Sequence, residues 1–482
     1  MNRDEIARKV VERAKRRGAT QAEAWLEIDR ESSVKVRDGE VEDLTQATSK
    51  GLGLRVLVEG RLGFTYTSDL DLKRADEIVD RAIAVARVAA PDKNNGFPAK
   101  ADLKRRVGDL DLFDPRVAEI SGEWRIEVAR EMERAARGVD PRIQACEAVM
   151  AGDNVTEVFF CTSEGVRDAF RATAVFGYAA PVAAEGEQLQ TSYWLDQKRH
   201  LAELEPAESI GRKAGERAVR MLGARKVKSQ RVPVVLDPQM AASFVAGLAG
   251  AVNGDMIHKK ASFLHRRLGK RIAPASFTVV DDGLLKRGLG TSPFDGEGVP
   301  TRRTPVVERG VLRSFLYDTF TARKAGAKTT GNASRGYSSL PSIGLNNFYL
   351  EPGEASPETI IGAVKQGFYV TAMLGRGANT VTGEYSRGAN GIWIEDGELA
   401  WPVQEVTVAG DMLEMPGSID AVGSDLEFRG NVAAPTDPVR GARGERQLAS
   451  ARQAGGGLSK RAQIARTGPG GPQGRGSASG LL

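Results

Sequence analysis

Two alternating apolar runs near the C-terminal end constrain the fold more than any other stretch. Residues 375–410 read GRGANTVTGEYSRGANGIWIEDGELAWPVQEVTVAG, with Asp396 and Gly397 between the two runs. Period-two alternation around an Asp-Gly pair predicts a β-hairpin. Glycines at 383–391 predict a polar loop ahead of it, which is a common place for binding groups. An ordinary sheet with a flexible loop fits the same pattern. The candidate binding residues are Glu384, Tyr385, Ser386, Arg387 and Asn390.

Length and composition indicate a globular protein of several domains. The chain has 482 residues, 41% of them hydrophobic and 27% charged, which is ordinary for two or three domains with their own cores. No apolar run approaches the ~18 residues of a membrane span. The N-terminal residues lack the hydrophobic segment of a secretory signal. We therefore expect a cytoplasmic protein with no membrane partner.

The distribution of charge argues against a nucleic-acid surface on the folded part. The whole chain has a formal charge of +5. Residues 437–482 contain eight Lys or Arg and two Asp or Glu, so the rest of the chain carries −1. The same 46 residues contain eleven glycines and no aromatic residue, a composition typical of disorder. We predict a disordered basic tail at 437–482, and nucleic acid is an unlikely partner.

Periodicity predicts an N-terminal α/β unit over residues 1–90. Apolar residues at helical spacing predict helices over 3–17 and 71–90. Between them, short alternating runs separated by Gly-containing turns predict strands that pair as hairpins.

A middle α+β unit is predicted over residues 91–227. Helices are expected at its two ends, over 121–138 and 209–222. Between them lie strands, with a turn at Gly152-Asp153-Asn154. Cys146 and Cys161 would then stand on opposite sides of a hairpin, where buried, reduced thiols are the favoured interpretation.

The third and largest unit is predicted over residues 228–436. It begins with a short buried strand and an Ala- and Gly-rich helix over 240–252, and continues as strands and loops. The fold class is therefore α+β, with a large, mostly antiparallel β domain at the C-terminal end.

Residue chemistry by itself yields no catalytic set and no metal site. The chain has three histidines, His200, His258 and His265, and none lies in an HExxH, HExxxH or paired-cysteine motif. His258 and His265 lie among Lys and Arg residues, which oppose binding of a metal cation and favour surface positions for these two histidines. The paired carboxylates Asp281-Asp282 and Asp295/Glu297 could support acid–base chemistry, but Asp-Gly-rich runs of this kind are more simply turns.

Four segments give the chain a resemblance to the TldD/PmbA family, in its PmbA (TldE) branch. The segments occur in the same order as in the family, and the resemblance extends over roughly residues 1–435. The segments are SSVKVRDGEVE (32–42), LGTSPFDGEGVPTRRT (289–304), FTARKAG (320–326) and VTGEYSRGANGIWIEDGELAWPVQEVTVAGDM (381–412).

The resemblance implies a subunit of a heterodimeric zinc metallopeptidase that degrades or trims short, unfolded peptides. The TldD branch carries HExxxH on a helix, and the matching positions here are Val245, Ala246 and Gly250. The resemblance therefore implies no cofactor in this chain and zinc in a TldD-like, HExxxH-bearing partner. This chain would shape the cavity and bind peptide, and residues 384–390 would line that cavity or the subunit contact.

One departure from the family pattern lies after Thr436. Members usually continue with an apolar strand there, whereas this chain continues with Asp437-Pro438 and the basic segment. Loss of that strand would leave a sheet edge unpaired. Two other functions stay open: a stand-alone peptide-binding or adaptor protein without hydrolytic activity, and a nucleic-acid-associated factor supported by the tail alone.

Overall fold

The computed structural model describes residues 3–71, 74–103, 107–375, 377–439 and 448–450. The α-helices of this part of the chain are α1 Arg3–Arg16, α2 Ala75–Val88, α3 Pro115–Ala118, α4 Gly122–Gly138, α5 Ala207–Val219, α6 Pro238–Ala251, α7 Gly254–His258, α8 Thr319–Ala325 and α9 Pro357–Gly362. None of the described helices has the length and apolar character needed to traverse a bilayer.

The strands divide between an N-terminal and a C-terminal half of the chain. The first half contains β1 Gln21–Arg37, β2 Glu40–Val58, β3 Arg61–Thr67, β4 Ile143–Thr162, β5 Arg167–Glu185, β6 Gln188–Thr191 and β7 Trp194–Lys198. The second half contains β8 Val234–Leu236, β9 Val279–Asp282, β10 Arg303–Glu308, β11 Val311–Leu312, β12 Ala333–Ser334, β13 Ser342–Ile343, β14 Asn347–Leu350, β15 Gln366–Leu374, β16 Glu384–Glu395, β17 Glu398–Asp411, β18 Val432–Ala433, β19 Asp437–Val439 and β20 Leu448–Ser450.

One antiparallel sheet of seven strands occupies the first half. Its order is β3-β2-β1-β4-β5-β6, with β7 paired to β5. Helices α1 and α2 bury their apolar stripes against one part of the sheet, and α4 and α5 cover another. Because β1 pairs with β4, residues of the N-terminal and middle units share a single sheet.

The turn predicted at Gly152-Asp153-Asn154 is wrong. These residues lie inside β4, which continues without a break from Ile143 to Thr162 and pairs with β1 and β5. Gly152 serves close packing instead, since a Cβ there would stand 2.6 Å from the Phe176 ring. The predicted hairpin around the cysteines is therefore also wrong. Cys146 and Cys161 lie on one strand in different core clusters, and both are buried free thiols.

Two sheets enclose α6 in the second half of the chain. One has the order β11-β10-β9-β14-β18 and the other β19-β8-β15-β16-β17-β20. Helix α6 contacts β14 and β18 of the first and β8 and β15 of the second. Most of the pairings are antiparallel, as predicted; β14 with β18 and β15 with β8 are parallel. The largest apolar core surrounds α6.

Two short segments inside the predicted tail at 437–482 form strands in the part of the chain that the structure describes. Asp437–Val439 form β19, which pairs antiparallel with β8, and Leu448–Ser450 form β20 beside β17. The edge at β8 is therefore paired by the chain itself. The remainder of that prediction lies outside the described residues.

Candidate functional site

The candidate residues lie on a strand and not in the predicted loop. The hairpin itself is confirmed, with β16 and β17 joined at Asp396-Gly397, both with positive φ. However, β16 begins at Glu384, so the stretch predicted as a glycine-rich loop is extended backbone paired with β15 and β17. Glycines in this strand allow close approach of the neighbouring backbone: a Cβ at Gly391 would lie 2.0 Å from the Tyr369 carbonyl oxygen.

Alternation along β16 separates the candidate residues onto two faces. Tyr385 is buried and meets Phe244 of α6 edge-on, with ring centroids 5.8 Å apart. Its hydroxyl lies 2.9 Å from the Met373 sulfur, and burial raises the pKa of Tyr385. Glu384 and Ser386 are exposed and belong to the opposite face. The structure therefore places Tyr385 beside α6 and separates it from its two neighbours in sequence.

Arg387 follows Tyr385 on the face toward α6. Its Nη1 donates to Ser243 Oγ of α6 at 2.6 Å, and its Nη2 donates to the Met373 carbonyl oxygen at 3.3 Å. Its Nε is buried without a hydrogen-bond partner in the described structure. In that same part of the chain no carboxylate lies within 4.0 Å of it. Arg387 thus brings an uncompensated positive charge to the side of α6.

Asn390 has a local structural contact. Its Oδ1 accepts the backbone N–H of Glu405 at 3.0 Å. This bond lies where the register between β16 and β17 shifts, and Glu405 has a φ of 55°. The side chain therefore satisfies a backbone donor at a β-bulge.

Helix α6 begins at a strong capping group. Asp237 Oδ1 accepts the backbone N–H of Met240 at 2.9 Å, and Pro238 occupies the first turn, as helix starts favour. Arg217 of α5 reaches Asp237 Oδ2 at 2.8 Å. Burial nevertheless raises the pKa of Asp237. The cap therefore ties α6 to the middle unit through a buried ion pair.

The face of α6 that is not in the core carries small side chains. Val245 is fully buried, whereas Ala246 and Gly250 are exposed. A Cβ at Gly247 would stand 3.3 Å from Met412 and 3.4 Å from Ala378, and one at Gly250 would stand 3.4 Å from Thr380. The small residues of α6 thus allow the segment just before β16, which contains Ala378 and Thr380, to pack closely against the helix.

No group that could hold a metal is found in the described part of the chain. There, no three or more His, Cys, Asp or Glu side chains come together in a possible metal site. Val245, Ala246 and Gly250 offer no ligand atoms in their side chains, so α6 does not fit a zinc ion. With Ser243 and Arg387 beside it, the surface can donate hydrogen bonds but lacks a catalytic set.

The histidines differ in their surroundings. His258 is exposed, as predicted, and His265 is half-buried. His200 is buried, and its Nε2 lies 3.0 Å from the Asp111 carbonyl oxygen and 3.2 Å from Asp111 Oδ1. Its ring therefore belongs to the packing between the middle unit and a preceding loop.

The predicted turn at Asp295 is present and carries a buried ionic cluster. Asp295 Oδ1 accepts the backbone N–H groups of Glu297 and Val299, which makes it a turn residue. Glu297 Oε1 lies 3.0 Å from Arg55 of β2. Arg55 also forms a bidentate pair with Glu23 of β1. This long-range pairing left no signal in the local sequence pattern.

Sequence comparison gives three family models that together follow most of the chain. The PmbA/TldA metallopeptidase domain 1 model matches residues 22–86. The central-domain model of the same family matches 115–222, and the C-terminal-domain model matches 229–443.

Curated relatives and solved structures agree with these models. The chain is 32% identical over 400 residues to the metalloprotease PmbA of Escherichia coli O157:H7, covering 83% of this chain and 86% of that one. It is 30% identical to a PmbA homolog of Buchnera aphidicola, with 83% and 87% covered. A putative modulator of DNA gyrase from Bacteroides thetaiotaomicron superposes with a TM-score of 0.85 at 28% identity, covering 92% and 98%. TldE from Thermococcus kodakarensis has the same fold, with a TM-score of 0.82 at 21% identity over 92% and 100%.

Proposed function

Because this chain belongs to the PmbA/TldD metallopeptidase family, in its PmbA (TldE) branch, we propose that it is the peptide-binding subunit of a heterodimeric zinc metallopeptidase. The complex would degrade or trim short, unfolded peptides. A TldD-like partner with HExxxH would supply the zinc and the catalytic groups. We propose the cytoplasm as the place where the complex acts.

The composition of α6 supports the assignment of zinc and the catalytic groups to the partner and of peptide binding to this chain. Val245, Ala246 and Gly250 stand at the positions that match HExxxH, and the first of them is packed in the core. Hydrolysis of an amide needs a group that activates water and groups that stabilise the developing charge. The helix surface has no side chain for the first task, so the proposal assigns it to the partner.

Arg387 supports the assignment of peptide binding to this chain. Its guanidinium is half-buried beside Ser243 and has a buried Nε without a partner among the described residues. A guanidinium in such a position can donate to the carbonyl oxygens or the terminal carboxylate of an extended peptide. Recognition of backbone groups carries little information about side chains, which suits an enzyme that trims peptides of many sequences.

Co-expression tests the proposal. This chain and a TldD-like HExxxH chain are purified separately and as a pair, and zinc content and cleavage of short unstructured peptides are measured for all three. We expect zinc in the partner and efficient cleavage by the pair. Stoichiometric zinc in this chain, together with cleavage by this chain alone, would contradict the proposal.

The same experiment separates the alternative function. A stand-alone peptide-binding or adaptor protein would bind peptide, form no complex with the HExxxH chain and leave that chain's activity unchanged. Fluorescence anisotropy with a labelled peptide, measured with and without the HExxxH chain, distinguishes the two outcomes.

A further inference from the structure

A cavity of about 610 Å³ opens at the surface where the middle unit meets the third unit. One wall is the segment 108–113, which lies between α2 and α3. The other walls come from Phe159 of β4, residues 169–171 of β5 and Pro293 of the third unit. Its volume falls within the roughly 300–1,000 Å³ that small-molecule sites occupy. None of its described lining residues belongs to α6, β15 or β16, so the cavity is separate from the candidate peptide site.

The segment 108–113 forms no helix or strand, yet both units hold it in place. The Leu112 carbonyl oxygen accepts the backbone N–H of Thr173 in β5 at 3.0 Å. The Leu110 carbonyl oxygen accepts the backbone N–H of Arg287 in the third unit at 3.0 Å. Both leucine side chains are buried. This wall is therefore formed before a ligand arrives, and binding does not have to overcome the entropy of ordering it.

Aromatic rings make the interior of the cavity apolar. Phe113, Phe159 and Phe170 all line it. Phe170 is fixed in turn, since its ring meets that of Phe294 edge-on with centroids 5.4 Å apart. Such rings offer a large apolar surface in a defined orientation. The interior therefore suits an apolar or aromatic group and not a sugar or a phosphate.

Arg171 brings a positive charge to the cavity. Its guanidinium carbon lies 3.8 Å from the centre of the Phe113 ring, so a cation–π contact holds it in place. Its nearest described carboxylate belongs to Glu157, with Nε and Oε1 3.8 Å apart, which is longer than a hydrogen bond. Glu157 is bonded instead to Arg3 and Arg30. The N–H groups of Arg171 are therefore available to a carboxylate of a ligand.

Asp109 brings a negative charge to the same cavity. Its side chain is exposed, and its Oδ1 accepts the backbone N–H of Asp111 at 2.9 Å. Within the described structure no Lys, Arg or His nitrogen lies within 4.0 Å of its carboxylate. By contrast, Asp111 is already paired with Arg287 at 2.6 Å. Asp109 is therefore the carboxylate that can receive an ammonium group of a ligand.

We propose that this cavity binds a free amino acid or dipeptide with an apolar or aromatic side chain. The carboxylate of the ligand binds Arg171, its ammonium group binds Asp109, and its side chain packs against the phenyl rings. Opposite charges beside an apolar interior match such a zwitterion. A fatty acid lacks the ammonium group, and a polyamine lacks the carboxylate. The inference goes beyond the proposed function and does not rest on it, because binding to this cavity needs neither zinc nor a partner chain.

Isothermal titration calorimetry of the purified full chain with phenylalanyl-leucine tests the proposal. We expect saturable binding of this dipeptide. N-acetyl-phenylalanyl-leucine lacks the ammonium group and phenylalanyl-leucine amide lacks the carboxylate, so each should bind about tenfold or more weakly. Glycyl-glycine, which has no side chain to bury, should also bind about tenfold or more weakly.

Variants at exposed positions assign the binding to this cavity. In Arg171→Gln the preference for the dipeptide over its amide should vanish, and in Asp109→Asn the preference over the N-acetyl form should vanish. Ala169 is an exposed lining residue, so Ala169→Trp should obstruct the cavity and weaken binding about tenfold or more. Arg167→Gln, an exposed arginine of β5 that does not line the cavity, should bind as wild type does.

Three results would overturn the proposal. The first is a wild-type chain that shows no saturable binding of phenylalanyl-leucine. The second is binding that Ala169→Trp leaves unchanged, which would place the dipeptide elsewhere on the chain. The third is a preference for the free carboxylate that persists in Arg171→Gln, which would remove the assigned role of the guanidinium.

Discussion

Arg55 and Glu297 form a buried ion pair with Nη1 and Oε1 3.0 Å apart, although 242 positions separate them in the chain. Arg55 belongs to the N-terminal sheet and Glu297 to the third unit. Glu23 lies on the other side of Arg55 and also binds Arg335. The second oxygen of Glu297 accepts the backbone N–H of Thr319 at 2.8 Å. The cluster therefore joins the two halves of the protein through buried, paired charges, although Nε and Nη2 of Arg335 have no hydrogen-bond partner in the described structure.

Removal of Glu297 should be strongly destabilising. Glu297→Ala removes one of the two carboxylates that pair with the buried guanidinium of Arg55. We therefore expect the free energy of unfolding to fall by about 3–5 kcal/mol. Urea denaturation measures the change. The matched control is Glu308→Ala, which removes an exposed partner of Arg313 and should cost no more than about 1 kcal/mol. Equal losses in the two variants would contradict the assigned role of the cluster.

The stability of the protein should carry a pH dependence from Asp295. Burial, with the negative charge of Glu297 second, raises the pKa of Asp295 from 3.8 to about 8. The folded state holds this proton more tightly than the unfolded state does. The protonated carboxyl group of Asp295 therefore makes its full contribution to the free energy of unfolding below about pH 4, and this contribution is lost as the pH rises to about 8. The slope is at most about 1.4 kcal/mol per pH unit.

Asp295→Asn should remove this contribution. Unfolding curves collected at several pH values between 5 and 8 give the slope for each protein. The variant should be less stable overall, since an amide cannot accept all three backbone N–H groups that Asp295 accepts, but its slope should be flatter. Identical slopes in wild type and variant would show that Asp295 does not titrate in this range.

Arg387 should contribute to peptide turnover by the complex. Arg387→Ala removes the donors beside Ser243, and we expect kcat/KM for short peptides to fall about tenfold or more, as for loss of a charged hydrogen bond. Arg313→Ala, an arginine on the exposed surface of the same unit, should retain wild-type turnover. Full activity of the Arg387→Ala complex would exclude a role in substrate binding.

Helix α6 should not tolerate a histidine in place of Val245, the position that matches the first histidine of HExxxH. Val245 is fully buried, so Val245→His inserts polar ring atoms into the core and should lower the free energy of unfolding by about 2–4 kcal/mol. Ala246→Glu changes the adjacent exposed position and should alter stability by no more than about 0.5 kcal/mol. Thermal or urea denaturation distinguishes them. A Val245→His variant as stable as wild type would mean that this position can open to solvent.

The two thiols should be unreactive in the native protein. Burial raises the pKa of Cys146 and that of Cys161 to about 11, and the thiolate is the reactive form. We expect alkylation by iodoacetamide at neutral pH only after unfolding, with both residues labelled in urea. Peptide mass spectrometry reads each site separately. Native labelling at the unfolded rate would contradict the buried positions.

Features governed by neighbouring residues could be predicted from the sequence. The Asp396-Gly397 hairpin follows from alternation and from residues that adopt a positive φ. Helix α6 follows from its apolar run and from Pro238 at its start. The absence of side-chain ligands at Val245, Ala246 and Gly250 is a property of the sequence itself. These features depend on interactions within a few residues, so a local pattern is sufficient to specify them.

Features governed by distant residues were decided by the tertiary structure. Gly152 and Asn154 have the composition of a turn, yet β4 runs through them because β1 and β5 supply hydrogen bonds on both sides. Tyr385 and Arg387 came to lie beside α6, and Glu384 and Ser386 on the other face, because β15 and β17 hold that segment extended. Strand partners and buried ion pairs arise from contacts far apart in the chain, which a local pattern cannot encode.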